Sequence, residues 1–285
     1  KLFENEDGQM DMLGISGYLG GNLNYDPDIP AGESQLDYHK NSYKSFQGKM
    51  KGLENIFKDM LRRLGKTVPQ FMYEGNLTKN DYHGTVGQAV TFTDYYATSM
   101  ENGVTLPNVF ALEGGQWRLL EDRIFLDKRP LYYHVKYYNA FCKGGEILKT
   151  NYQSKDQIYN DDGTPIDLPG VGAHAYHNEG QYGIALFSRD FENDAVVKID
   201  LPDGVGTTSD GKMVTIKGES YNALSVEIIE ESVSVEDGQL VTIPKYGAVY
   251  LTFNANKTEL EEKSLGYYNY VRATSIDIEP KDGVT

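Results

Sequence analysis

Apolar positions in the first 145 residues alternate between short runs and longer amphipathic stretches. A run over 11–18 predicts a buried strand, and a polar connection follows it from Gly20 to about Asn41. Next, large apolar residues recur at steps of four and three, which predicts one buried face of a helix: Phe46, Met50, Leu53, Phe57, Met60 and Leu64. Gly65 marks the expected end of this helix.

The same strand-then-helix order occurs twice more. Strands are predicted over 68–73 and 104–112, and helices over about 86–100 and 130–142. Three such units in succession predict parallel strands joined by right-handed crossovers. A closed barrel of this type needs eight units. We therefore expect residues 1–145 to form an incomplete barrel that does not fold alone, because its sheet edges and apolar faces would be uncovered.

The second half has a different pattern, in which short β-type runs alternate between apolar and polar positions. They lie at 183–187, 195–201, 224–229, 232–235 and 248–253, with Asp-Gly turn signals at 203–204, 210–211 and 237–238. Such a pattern predicts an antiparallel β-sandwich over 146–256. We expect it to pack on the helix that starts at Pro130, because four tyrosines surround more of that helix than one core can cover: Tyr132, Tyr133, Tyr137 and Tyr138.

Charge and composition narrow the range of partners. The 27 basic and 42 acidic residues give a formal net charge of −15, with a single cysteine. A chain this acidic has no electrostatic footprint for nucleic acid or an anionic membrane surface. One cysteine, Cys142, excludes an intrachain disulfide and a cysteine-based zinc cluster. We expect no metal and no cofactor; His174 and His177 lack a third ligand in sequence, and we expect them on a loop or strand surface.

Several segments carry a family resemblance by their order along the chain. Phe71-Met-Tyr-Glu-Gly-Asn76 resembles the end of barrel strand seven, and 11–18 resembles strand six, in clan A glycoside hydrolases of the α-L-arabinofuranosidase and β-xylosidase type. Likewise, 111–117 is similar to strand eight, 129–139 to the last barrel helix, and 185–190 and 243–251 to strands of the family's C-terminal sandwich. The resemblance covers roughly residues 10–255.

This resemblance implies both a fold and a chemistry. The fold is α/β plus all-β: the last three βα units of a (β/α)8 barrel over 1–145, followed by the antiparallel β-sandwich. The chemistry is that of a retaining glycoside hydrolase acting on plant or microbial polysaccharide, with Glu74 as the nucleophile and Tyr18 as its hydrogen-bond partner. The acid/base is expected on a missing segment of the barrel, which would itself be a partner. Six residues are expected to bind substrate: Tyr18, Tyr73, Asn76, His83, Glu113 and Trp117.

The tail resembles a different module. Residues 273–284 look like the first strand of a bacterial group-two immunoglobulin-like repeat, so that 257–285 would be a linker and the start of that module. Such repeats occur on extracellular and cell-surface proteins. The resemblance therefore implies a multidomain bacterial protein that is secreted or held at the cell surface.

A second class of function stays open beside the enzyme. The acidic surface, the tyrosine content, the immunoglobulin-like tail and the lack of an acid/base also suit a non-catalytic carbohydrate-binding or surface scaffold protein with a degenerate glycosidase barrel. One fold hosts many functions, so the fold alone does not choose between the two.

Overall fold

The computed structural model of the 285-residue chain describes most of the helices and strands, and the account below is confined to those residues. They are 13–19, 31–65, 70–77, 83–112, 118–121, 127–142, 146–148, 150–152, 157–159, 165–178, 180–190, 192–201, 208–254, 260–265, 268–273 and 276–280.

The N-terminal part consists of three strand–helix units, as the sequence predicts. In chain order they are β1 (Leu13–Leu19), α1 (Ala31–Leu64), β2 (Gln70–Leu77), α2 (Val86–Glu101), β3 (Val104–Val109) and α3 (Pro130–Cys142). The strands pair in the order β1-β2-β3, and both pairings are parallel. Their carboxyl ends therefore share one edge of the sheet.

Helix α1 starts earlier than the sequence analysis predicts. It begins at Ala31, whereas a polar connection was expected to reach Asn41. Residues 33–47 contain neither glycine nor proline, so their polar composition does not interrupt the helix. The predicted apolar face is buried at Phe46, Leu53 and Met60. Gly65, with a φ of 65°, follows the last turn and donates its N–H to the Leu61 carbonyl, as a helix-ending glycine does.

Strand β2 is longer than predicted. It continues beyond Tyr73 to Leu77, so Glu74, which was expected at the end of the strand, lies inside it, three residues before Leu77. The pairing with β1 passes from Ile15 opposite Met72 to Ser16 opposite Glu74, and Tyr73 is the extra residue of this bulge. A bulge changes the direction in which the side chains beside it point, here those of Tyr73 and Glu74.

The C-terminal part contains fourteen strands among the described residues. They are β4 (Glu146–Leu148), β5 (Thr150–Tyr152), β6 (Gln157–Tyr159), β7 (Pro165–Pro169), β8 (Val171–Asn178), β9 (Gln181–Ser188), β10 (Ala195–Asp200), β11 (Thr208–Lys217), β12 (Glu227–Val235), β13 (Gln239–Ile243), β14 (Gly247–Asn254), β15 (Leu260–Leu265), β16 (Tyr268–Ala273) and β17 (Ile276–Pro280). Six of them form a sheet in the order β12-β11-β14-β9-β8-β4, and four form a second sheet in the order β13-β10-β17-β5. β6 pairs with β7, and β15 with β16.

Two details of this part differ from the sequence prediction. The second half of the run at 224–229 and the run at 232–235 belong to one strand, β12, which begins at Glu227. The acidic residues between the two runs lie on an exposed edge strand and need no turn. Asp210 and Gly211 lie inside β11 at a bulge, where we expected a turn. Gly238, by contrast, has a φ of 77° in the predicted turn between β12 and β13.

Both faces of the six-stranded sheet are buried at its central strands, β9 and β14. Ile184, Leu186 and Leu251 point to the second sheet, whereas their neighbours Phe187 and Tyr250 point to the helices. Such alternation gives one core on each side of the sheet. The sheet therefore separates a sandwich core from a helix-facing core.

Helix α3 packs on this sheet, which confirms the predicted docking. Of its four tyrosines, Tyr137 and Tyr138 are buried, and Tyr132 and Tyr133 are half-buried. Tyr137 lies 6.4 Å from the Tyr250 ring, measured between ring centroids.

The tail does not leave the sandwich as the sequence analysis expected. Strand β17 lies within the four-stranded sheet, antiparallel to β10 and parallel to β5. Backbone pairing on both sides places 276–280 in the sandwich, and nothing in this placement supports an immunoglobulin-like repeat. The domain boundaries at 145 and 256 stay predictions.

Candidate active site

The pairing of β1 with β2 brings Tyr18 and Glu74 together. Leu13, Ile15 and Leu19 alternate with Tyr18 along β1, and Ile15 and Leu19 pack into the core that faces the helices. Tyr18 therefore lies on the opposite face of the sheet, where Glu74 pairs opposite Ser16. The Glu74 carboxylate is close enough to Tyr18 to act on its phenol, both through its negative charge and as a hydrogen-bond acceptor.

The environment of Tyr18 keeps its phenol protonated. Partial burial contributes most to the raised pKa of Tyr18, followed by the negative charge of Glu74 and by hydrogen bonding to its carboxylate. Together they raise this pKa to about 12. A protonated phenol is a donor at neutral pH, so Tyr18 can donate a hydrogen bond to a carboxylate oxygen of Glu74.

Aromatic side chains flank this pair on an exposed surface. Tyr73 keeps 51% of its surface accessible, and its ring lies 6.4 Å from that of Phe71, edge to face. Ser16 and Gly14 on β1 are exposed as well. An aromatic face beside a carboxylate suits the C–H faces and hydroxyl groups of a sugar.

Asn76 is placed differently from the role that the resemblance implies. Its side chain is fully buried, and its amide oxygen accepts hydrogen bonds from Gln88 Nε2 at 2.6 Å and from the Leu77 N–H at 2.8 Å. Its amide nitrogen donates to the Phe110 carbonyl. Asn76 thus joins β2 to α2 and to the segment after β3, and its substrate-binding role stays a prediction.

His83 is likewise buried, at 8% exposure, in the turn before α2. Its Nε2 lies 2.7 Å from the Leu77 carbonyl oxygen. A carbonyl oxygen only accepts, so this nitrogen carries the proton and donates the hydrogen bond. Thr85 caps α2 by accepting a hydrogen bond from the Gln88 N–H. His83 therefore organises the β2–α2 connection, and its contact with substrate stays a prediction.

Glu113 and Trp117 lie outside the described residues. Phe110 and Leu112, just before them, are 38% and 61% exposed. The peptide bond between Phe110 and Ala111 is cis.

No cluster of three metal-ligating side chains is found within the described part of the chain. None of its helices is long and apolar enough to cross a membrane. An open depression of about 460 Å³ lies elsewhere, between β11 and β12. Its acidic wall is partly neutralised, since Glu230 pairs with Lys212 at 2.8 Å.

One cluster of ionisable residues has no counterpart in the sequence pattern. His174 and His177, expected on a surface, are 2% and 3% exposed on β8. His174 contacts Asp94 and Glu101 of α2, and Asp94 also pairs with Arg189. The strand pattern of β8 was hidden because histidines occupy buried positions that normally hold apolar residues.

No protein-family model and no curated protein matches the chain. Solved structures match it by fold. An α-L-arabinofuranosidase from Thermotoga maritima in complex with arabinose has a TM-score of 0.62 and 15% identity, over 86% of this chain and 53% of that one. A family 51 arabinofuranosidase from Xanthomonas axonopodis pv. citri has a TM-score of 0.65 and 14% identity, over 87% and 53%.

A second glycoside hydrolase family is also similar. A family 44 xyloglucanase from Paenibacillus polymyxa has a TM-score of 0.55 and 12% identity, over 87% of this chain and 47% of that one. The chain spans about half the length of these solved proteins. At such low identity the likeness shows the fold alone, which is glycoside hydrolase-like.

Proposed function

We propose that this chain carries the nucleophile side of the active site of a retaining glycoside hydrolase. The observation that supports the proposal is that the Tyr18 phenol and the Glu74 carboxylate lie together on paired strands of a parallel sheet, in a glycoside hydrolase-like fold. Catalytic residues of (β/α)8 barrels gather at the carboxyl ends of the strands. Glu74 lies in the carboxyl-terminal half of β2, beside the aromatic surface of Phe71 and Tyr73.

In this mechanism Glu74 attacks the anomeric carbon and forms a covalent glycosyl-enzyme, which water then hydrolyses. Tyr18 holds one carboxylate oxygen and leaves the other oriented toward the sugar. A second carboxyl group must protonate the leaving oxygen, at about 5–5.5 Å from the nucleophile in retaining enzymes. We assign that group to a further barrel segment outside the described residues, which would also cover the exposed face of the three-stranded sheet.

The proposed substrate is a plant or microbial polysaccharide, or an oligosaccharide from it, with arabinofuranosyl or xylosyl units. The similar solved proteins include arabinofuranosidases and a xyloglucanase, which supports this class of substrate. Tyr73 and Trp117 would stack on sugar rings, and Glu113 would bind a hydroxyl. A polymeric substrate outside the cell fits a protein that is secreted or held at the cell surface.

The test is a covalent trap in the full-length protein. A 2-fluoro-glycosyl fluoride of arabinofuranose or xylose should label Glu74, as located by mass spectrometry of the peptide. Glu74→Gln should lower turnover of the matching aryl glycoside by several orders of magnitude while sugar binding persists. Azide should restore turnover in Glu74→Gly by replacing the lost nucleophile.

A matched control is Glu54→Gln, which removes an exposed carboxylate of α1 that pairs with Lys58. It should leave turnover unchanged. Labelling of another residue, or near-normal turnover in Glu74→Gln, would contradict the nucleophile assignment. Sugar binding without turnover in the wild-type protein would favour the non-catalytic carbohydrate-binding scaffold.

A further inference from the structure

Four ionisable residues join helix α2 to the sandwich through buried contacts. Arg189, just after β9, donates to both oxygens of Asp94, with Nε to Oδ2 at 2.6 Å and Nη2 to Oδ1 at 2.9 Å. His174 of β8 reaches Asp94 Oδ1 with Nε2 at 2.9 Å and Glu101 Oε1 with Nδ1 at 2.8 Å. Asp94, His174 and Arg189 are at most 7% exposed, and Glu101 is 26% exposed. We call these four residues the α2 ion cluster.

The geometry of His174 determines its protonation state. Both ring nitrogens lie within hydrogen-bond distance of a carboxylate oxygen. A neutral imidazole has one N–H, whereas an imidazolium has two, and an ionised carboxylate has none to give. Only the imidazolium satisfies both contacts. The cluster then holds two positive and two negative charges and is electrically balanced, as buried charges need to be.

We infer that the α2 ion cluster is an alkaline-sensitive junction, which holds helix α2 on the sandwich while His174 keeps its second proton and weakens when that proton is lost. Deprotonation would leave one carboxylate oxygen without its donor and give the buried cluster a net negative charge. Both changes are costly away from water.

The electrostatics of the surrounding groups agree with this inference. Burial alone would lower the pKa of His174, but the charges of Glu101 and Asp94 and their hydrogen bonds outweigh it and raise the pKa to about 9. Arg189 faces the same site as the second cation, and the Phe187 ring lies 5.7 Å from His174. Burial raises the pKa of five further groups near the carboxylates, so none of them ionises in this range: Tyr43 of α1, Tyr138 and Cys142 of α3, Tyr176 of β8 and Tyr250 of β14.

The direction of the pH effect follows from linkage. The pKa of His174 in the folded protein lies above its ordinary value of 6.5. Its contribution is therefore complete below about pH 6.5 and is lost as the pH rises through about 9. Within that window the unfolding equilibrium constant should rise by up to about tenfold per pH unit from this group.

A second set of contacts holds the opposite end of α2 on the sandwich. The first N–H groups of the helix, at Val86 and Gly87, donate to the carbonyls of Ala223 and Tyr221 at 2.9 and 2.8 Å. These bonds contain no titratable group. Loss of the His174 proton should therefore release the carboxyl-terminal half of α2 first and leave its start, next to the β2–α2 connection, in place.

The first experiment measures urea unfolding of the intact protein between pH 6 and pH 10, for the wild type and for His174→Gln. Glutamine keeps a polar side chain but carries no titratable proton. The wild type should lose stability between about pH 6.5 and pH 9, and the variant should lack this step. His177→Gln is the matched control, because it changes another buried histidine of β8 and should retain the step.

The second experiment does not depend on how well a variant folds. Carbon-13 NMR of the five histidines in the wild type should show one imidazolium that persists to about pH 9, with contacts to the Phe187 ring. If all five histidines lose their second proton below about pH 7.5, the inference is wrong. It is also wrong if the wild type and His174→Gln lose stability in parallel over this pH range.

Discussion

Tyr18 of β1 and Glu74 of β2 lie on the face of the parallel sheet that points away from the helices, where burial and the nearby carboxylate together raise the pKa of the Tyr18 phenol to about 12. Tyr18 alone could be a packing residue, and Glu74 alone could be an ordinary surface carboxylate. Together they place a phenol beside a partly exposed carboxylate, which is the arrangement on which the proposed nucleophile role rests.

Tyr18→Phe should lower kcat for an aryl glycoside by about 10²-fold with little change in KM, because one preorganised donor to the reacting carboxylate is lost. The effect rests on the proposed function and is measured by steady-state kinetics of the full-length protein. Tyr133→Phe, on the half-buried face of α3, is the control and should keep normal kcat. An unchanged kcat in Tyr18→Phe would remove Tyr18 from the site.

Asp94→Asn should lower the free energy of unfolding by about 3–5 kcal/mol, because Arg189 and His174 would keep buried charges without their shared carboxylate. Urea denaturation at pH 7 measures the change. Asp59→Asn is the matched control, since Asp59 pairs with Arg62 and Arg63 on the exposed side of α1. Its removal should leave the denaturation midpoint unchanged. Equal midpoint shifts in the two variants would show that the α2 ion cluster does not stabilise the fold.

Gly183→Ala should destabilise the protein, because a Cβ at this position of β9 would lie 2.2 Å from the Phe141 carbonyl oxygen at the end of α3. The atoms that this Cβ would meet belong to the backbone of α3 and cannot rotate away as a flexible side chain could. We therefore expect a loss of about 1–3 kcal/mol. Gly48→Ala in α1 is the opposite case: apart from its chain neighbours and the backbone of the helix itself, no atom lies within 4 Å of the position that a Cβ would take. That variant should gain about 0.5–1 kcal/mol from helix propensity. Thermal denaturation of both variants checks the contrast.

His134 should make the protein sensitive to acid. It is fully buried in α3 with its Nδ1 2.9 Å from the Tyr250 hydroxyl, and burial lowers its pKa to about 3. The unfolded chain takes up a proton near the ordinary value of 6.5, so stability from this group is complete above that pH and falls as the pH drops toward 3. His134→Gln should have a weaker dependence of unfolding free energy on pH between 6.5 and 4. An unchanged dependence would contradict the buried neutral state.

The sequence alone determined the order and type of most elements, because these depend on local periodicity and on a few turn residues. Phe46, Leu53 and Met60 share one helical face whatever lies opposite them. Pro130 and Gly65 mark a helix start and a helix end through their own backbone preferences. The resemblance around Glu74 selected a carboxylate that lies beside a tyrosine, and its catalytic role stays a prediction.

The contacts between distant segments could be decided only by the tertiary structure. The bulge that puts Glu74 opposite Ser16 depends on how β2 pairs with β1, and a shift of one residue would turn a side chain to the other face. The place of β17 inside the sandwich depends in the same way on its two partner strands.

Buried charges show most clearly the difference between what the sequence determines and what the tertiary structure decides. Asp94 lies 80 positions from His174 and 95 from Arg189, and no local pattern links them. In the sequence each is an ordinary polar residue that is expected at the surface. Packing α2 against β8 and β9 removes water from all three, so that only their mutual charges and hydrogen bonds make the burial possible.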